Sequence, residues 1–390
     1  MPVGSRFNGP GAATSMSGIL RQLSAFGGRL LLGLMLFAVL TPPFGLRAYL
    51  DARAQDQAPT TGLLKSFGRP AASLVKLPNR VRPREAPRSP VDAISGKGAW
   101  YMIFDGDWND PDADRAAALV DSAVRADLSH IYIRVADSTH HFYAAAALQD
   151  LLPIAHARGL RVIGWIEPML NDPGSDAADA IAAADFEEQG QRLDGLALTI
   201  EGDSTSDPNV GQYLSGVRNG AGGLNGLGAQ YLLIASTLPT PYDHPGYAYA
   251  TLSRYCQAFA PMAYWRATGL PQYSGGDGAR AYIDQVFQQF RDPSVNPFKR
   301  PLTITAQAYD AAPEYGTPGA PPADEIKISM DETRAQGGIS WSYYRLADAN
   351  NGVTNDEQQA ISGYPFWQRA GGAGIADKAL IALPNQPVAY

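Results

Sequence analysis

Eight short β-rich runs, each followed by a helical or connecting segment, punctuate the chain between Gly98 and Tyr344. They cover 98–108, 129–137, 159–167, 194–203, 230–237, 257–266, 301–310 and 337–344. Amphipathic stretches separate them, such as Asp112 to Ala126 behind Asp110-Pro111, which reads as an N-cap followed by proline at the first helical position. Strict β–α alternation over about 270 residues matches the order and the usual length, about 250 residues, of a (β/α)8 TIM barrel. An open doubly wound sheet shares the alternation and is the alternative, because strand count alone does not close a barrel.

The fourth run, DGLALTIEGD from Asp194 to Asp203, sorts its residues into two faces. Leu196, Leu198 and Ile200 point one way, and Ala197, Thr199 and Glu201 the other. A strand that is apolar on one side, and small, polar and finally acidic on the other, suits a barrel wall. Its outer face meets helices and its last inward residue opens on a cleft. The same logic places Asp105, Asp107, Asp137, Glu167, Arg266 and Asp310 at the C-terminal ends of their strands. Trp108, Trp165, Tyr264, Trp265, Tyr309, Trp341 and Tyr343 lie alongside them. In a closed barrel all these ends share one face.

Composition narrows the partners. The chain has 390 residues, 45% of them hydrophobic, which is ample for a core, and its net charge of -7 argues against a nucleic-acid partner. Cys256 is the single cysteine, so no intramolecular disulfide forms, and its apolar setting reads as core rather than nucleophile. His140-His141 has no further His or Cys at ligand spacing, and neither G-x-G-x-x-G nor G-x-S-x-G is present. The expectation is no metal and no cofactor.

Arg6, Arg21 and Arg29 precede an uncharged, Leu-rich stretch from Leu30 to Leu46. This reads as an export signal peptide or as a retained signal-anchor, in either case leaving the body of the protein extracytoplasmic, with the membrane as partner if the segment is uncleaved. A Pro/Arg-rich spacer follows. The expected organisation is a cytoplasmic stub with signal or anchor helix over 1–50, a linker over 51–97, the barrel over 98–370 and a tail over 371–390.

Carboxylates ringed by tryptophan and tyrosine are what a carbohydrate site requires. Sugar rings stack their C–H faces on aromatic planes, and their hydroxyls seek Asp and Glu. Hydrolysis of a glycosidic bond also needs a carboxyl group whose pKa is raised by burial, as proton donor.

At these positions the sequence resembles family 18 glycoside hydrolases, the chitinases and their sugar-binding relatives. The family's DGxDxDxE strand is matched at Asp194, Gly195 and Glu201, its MxY at Met262 and Tyr264, and its last-strand glycine pair followed by a tryptophan at Gly337, Gly338 and Trp341. The resemblance implies Glu201 as general acid, Tyr264 as a ligand to a substrate carbonyl or hydroxyl, and Trp341 as the floor of a sugar subsite. Ala197 and Thr199 depart from it, standing where the family has inward aspartates, and Trp265 replaces the acid that commonly follows the MxY tyrosine. Cleavage assisted by the substrate's N-acetyl group is thereby put in doubt, and Glu167 or Asp310 is the candidate for the second carboxylate. Asp105, Trp108, Asp137, Trp165, Thr199, Arg266 and Tyr309 complete the expected substrate contacts by strand position. The reading is a polysaccharide or oligosaccharide hydrolase, with a non-catalytic chitinase-like lectin or an envelope scaffold as alternatives.

Overall fold

A computed structural model describes residues 89–103, 108, 111–201, 206–311, 319–346 and 353–366. The signal or anchor segment, nearly all of the linker, Asp105 and Asp107 lie outside the described residues. Among those described, no helix is long and apolar enough to cross a membrane.

The eight alternating units close into a barrel. Its strands are β1 (Gly96–Tyr101), β2 (His130–Asp137), β3 (Arg161–Glu167), β4 (Gly195–Thr199), β5 (Leu233–Thr237), β6 (Ala258–Ala263), β7 (Thr303–Gln307) and β8 (Ser340–Tyr344). Each pairs in parallel with its neighbour, and β1 pairs with both β8 and β2, which removes the open-sheet alternative. The helices are α1 (Ala113–Arg125), α2 (Ala145–Ala157), α3 (Pro173–Asp185), α4 (Asp207–Asn219), α5 (Tyr249–Tyr255), α6 (Gly275–Phe290), α7 (Ala323–Ala335) and α8 (Asn355–Gly363). The first of them starts later than Asp110-Pro111 suggests. Asp112 is the N-cap, its carboxylate accepting from Arg115 N at 2.9 Å.

The two faces of β4 separate as their period-2 pattern requires. Leu196, Leu198 and Ile200 join the apolar layer between wall and helices, whereas Ala197 joins a second cluster inside the barrel. That interior is floored by Ala93 and Ile94 from a short 3-10 turn, Pro90–Ile94. The barrel therefore takes in residues 90–97, ahead of Gly98. Above the floor, Trp100 stacks on Tyr132 with ring centroids 4.0 Å apart, and Trp165 meets Trp100 edge-on at 5.4 Å. Gly98 makes room for the buried ring of His130, with which any Cβ there would collide.

The inner and outer faces also correct four aromatic assignments. Trp108, Trp265, Trp341 and Tyr343 are buried in the layer between wall and helices, not in the lumen. Trp341 is fully buried and its Nε1 donates to Ser329 Oγ on α7 at 3.0 Å, so it is not the floor of a sugar subsite. The reason is parity: Ser340, Ser342 and Tyr344 take the inward positions of β8. Trp108 lies under Arg115 of α1, whose guanidinium sits 5.5 Å from the ring centroid. Gly337, with φ of 85°, makes the turn from α7 into β8. The glycine pair ahead of Trp341 thus shapes a turn, away from the cleft.

Candidate active site

Glu201 lies two residues beyond the end of β4, at the C-terminal mouth of the barrel, and is partly accessible. Tyr247, from the segment leading into α5, donates to Ile200 O at 2.8 Å and pins the backbone just before it. Burial pushes the Glu201 carboxyl up to about 8. The Glu167 carboxylate pushes the same way and the Arg134 guanidinium opposes both. At neutral pH this acid holds its proton.

The neighbouring carboxylates arrive by an irregularity in β2. Arg134 pairs with Trp165 and Asp137 with Glu167, with a bulge between Arg134 and Ala136. Residues three apart in a regular strand face opposite sides; the extra residue brings Arg134 and Asp137 onto the same one. Arg134 Nη1 contacts Glu167 Oε2 at 2.5 Å, and Nη2 lies 3.4 Å from Asp137 Oδ2. The guanidinium sits 5.0 Å from the Trp165 ring centroid. Trp165 in turn donates from Nε1 to Thr199 Oγ1 at 2.9 Å.

The other expected residues divide. Tyr264 and Tyr309 stand at the mouth with ring centroids 5.6 Å apart, and Tyr344 completes a cluster with them at 6.1 and 5.5 Å. Asp137 is largely committed to its own turn, where Oδ1 accepts from Thr139 N and His140 N, each at 2.9 Å. Arg266 faces α7, where Nε and Nη2 reach Glu325 at 2.8 and 2.5 Å and Trp265 Nε1 adds a third donor at 2.8 Å. Burial pushes the Glu325 carboxyl up, but these donors outweigh it and hold it below its ordinary range. Arg266 thus braces the loop after β6. Asp310 is exposed beyond β7. Asp194, the first acid of the β4 pattern, sits at the opposite end of that strand, bound by His156 Nε2 at 2.9 Å and Arg161 Nη1 at 3.1 Å.

Sequence reasoning missed Arg134, Gln307 and Tyr344. Arg134 follows His130 and Tyr132 at period 2, the mark of a polar inward face. Gln307 Oε1 accepts from Arg266 N and Ala267 N, while its Nε2 donates to Tyr309 O at 3.0 Å, joining the two loops that carry Tyr264 and Tyr309. Among the described residues, no group of three or more His, Cys, Asp or Glu is placed to share a metal ion. Burial pushes the Cys256 thiol up to about 12, against any nucleophilic role.

No protein-family model matches the chain, and no curated protein matches it. Solved structures similar to it include a chitinase from Rhizomucor miehei, at 14% identity and TM-score 0.46, covering 68% of this chain and 99% of that one. A family GH18 chitinase from Cycas revoluta in complex with allosamidin is similar at 10% identity and TM-score 0.46, over 69% and 97% of the two chains. A GH5_18 protein from Streptomyces cattleya in complex with GlcNAc is similar at 16% identity and TM-score 0.48, over 70% and 80%.

Proposed function

We propose that this barrel is a glycoside hydrolase acting on a polysaccharide or oligosaccharide, with Glu201 as the proton donor to the leaving oxygen. One observation carries the reading: at the mouth of a closed barrel, burial raises the Glu201 carboxyl to about 8 with the charge of the Glu167 carboxylate pushing the same way, and Glu167 is itself paired with Arg134. Two acids whose surroundings assign them different charge are what glycosidic cleavage needs. Glu167 suits the second role better than Asp310, because it lies within the Arg134 cluster while Asp310 is exposed. Tyr264, Tyr309 and Tyr344 supply faces on which a sugar ring can stack.

A non-catalytic carbohydrate-binding barrel is the second reading, favoured by Ala197 and Thr199 at inward positions where the resembled family has acids. The extracytoplasmic setting and any membrane attachment are proposals from Arg6, Arg21, Arg29 and the uncharged stretch from Leu30 to Leu46. A polysaccharide panel scored for both binding and reducing-end release separates the two readings. For the hydrolase, Glu201→Gln lowers release by about 10²- to 10⁴-fold while binding persists. Binding without release of sugar from any panel member would leave the lectin.

A further inference from the structure

We propose that Arg134 is the positioning residue of this cleft: clamped between the face of Trp165 and the carboxylates of Glu167 and Asp137, it fixes Glu167 as the anion that Glu201 meets, with Thr199 completing the clamp through the indole. The inference deepens the hydrolase reading and takes its catalytic meaning from it.

A buried guanidinium is costly unless paired and hydrogen-bonded. Here the chain interrupts β2 with a bulge to bring the cation and Asp137 to one side, and Glu167 meets it from β3. The planar group suits the place as an ammonium would not. It lies on an aromatic face 5.0 Å from its centroid and still forks towards two carboxylates. The indole is itself held on several sides: by Thr199 at 2.9 Å, by Trp100 edge-on at 5.4 Å and by Tyr344 edge-on at 6.2 Å.

This gives Thr199 a purpose. Where the resembled pattern has an acid two residues before the glutamate, this chain has a hydroxyl that anchors an indole. Neighbouring strands then supply the charges to which Glu201 responds. The groups bearing on the cluster are Glu167, Asp137 and Arg134, the imidazole of His140 against Asp137, and the phenols of Tyr143, Tyr247 and Tyr344.

The test is a site-resolved titration of the Glu201 carboxyl in the full chain, by carbon NMR with labelled glutamate assigned through Glu201→Gln. The wild-type midpoint is expected near 8. Glu167→Gln removes a like charge and lowers the midpoint, and Arg134→Met removes the cation and raises it, each by about one unit or more. Thr199→Val frees the indole and moves the midpoint in the same direction as Arg134→Met, while Thr199→Ser restores it. Should Arg134→Met not fold, the Glu167 and Thr199 variants carry the test by themselves. Unchanged midpoints in Glu167→Gln and Arg134→Met overturn the assignment, and a wild-type midpoint in Thr199→Val overturns the part given to Thr199. None of these readings needs a substrate. A chain that titrates as described but releases no sugar overturns the hydrolase and leaves the clamp standing; the reverse result overturns the clamp and leaves the hydrolase.

Discussion

The ammonium of Lys97 donates to the carbonyl of Ile361 at 2.6 Å, fastening β1 to the last turn of α8. The same nitrogen reaches Tyr364 O at 3.0 Å and Ser362 O at 3.3 Å, and lies 3.4 Å from Asp127 Oδ2. A helix C-terminus leaves carbonyls without intrahelical partners, and a cation there meets both their hydrogen-bonding need and the negative end of the dipole. Lys97→Met keeps the stem but leaves those buried oxygens without their donor. The expected loss is about 2–4 kcal/mol, read as a lower urea midpoint at an unchanged m value. A variant within a few tenths of a kcal/mol of wild type would show that water replaces the ammonium there.

Glu201 predicts a specific dependence of stability on pH. Its carboxyl is raised in the folded state, so between the unfolded value near 4.5 and the folded value near 8 the folded protein binds the extra proton. Stability from this group is full below the unfolded value and declines as pH rises to about 8. Above that the cost is constant. Denaturant titrations of Glu201→Gln across this window are expected to show a flatter profile, with the variant more stable than wild type at pH 8 by a few kcal/mol. Parallel profiles would mean that Glu201 is solvated.

The sequence made the alternation of elements legible because hydrophobic period reports burial directly. It sorted Leu196, Leu198 and Ile200 from Ala197 and Thr199 for the same reason. It could not assign Trp341, because an aromatic residue at a strand end is equally at home against a helix or over a cleft. Only the register that puts Ser342 and Tyr344 inside decides. Arg134 was hidden differently. Its partner Asp137 is on the same side through a bulge, and no run of residue types announces one.

Trp341 and Tyr264 give opposite outcomes. Trp341→Ala opens a cavity between wall and helices and removes the donor to Ser329 Oγ, so it costs about 3–5 kcal/mol of stability while glycan affinity of the folded fraction stays at the wild-type level. Tyr264→Ala, at the mouth, weakens glycan binding about tenfold with the smaller loss of stability. Calorimetry on glycan binding beside thermal melts checks both. Lost affinity in folded Trp341→Ala would return that residue to the site.

The 3-10 turn packs as part of the barrel. A chain beginning at residue 89 keeps Ala93 and Ile94 under the barrel, together with Gly96 and Lys97; one beginning at Gly98 loses all four. The longer form is expected to melt cooperatively and the shorter to melt well below it or aggregate, since the apolar floor opens to water. Equal melting temperatures would make the turn dispensable.

The pH profile of activity provides the sharpest reading of Glu201. A proton donor works only while protonated, so kcat/KM for glycan cleavage is expected to fall as pH rises through about 8, the value to which burial and Glu167 raise this carboxyl. In Glu167→Gln the like charge is gone and burial remains, so the descending limb moves to lower pH, whatever the residual rate. The position of the limb therefore reports the charge beside Glu201 and is separable from the loss of a catalytic group, which changes only the height of the curve. A descending limb that stays in place in Glu167→Gln would assign it to another group and remove Glu201 from the role of donor.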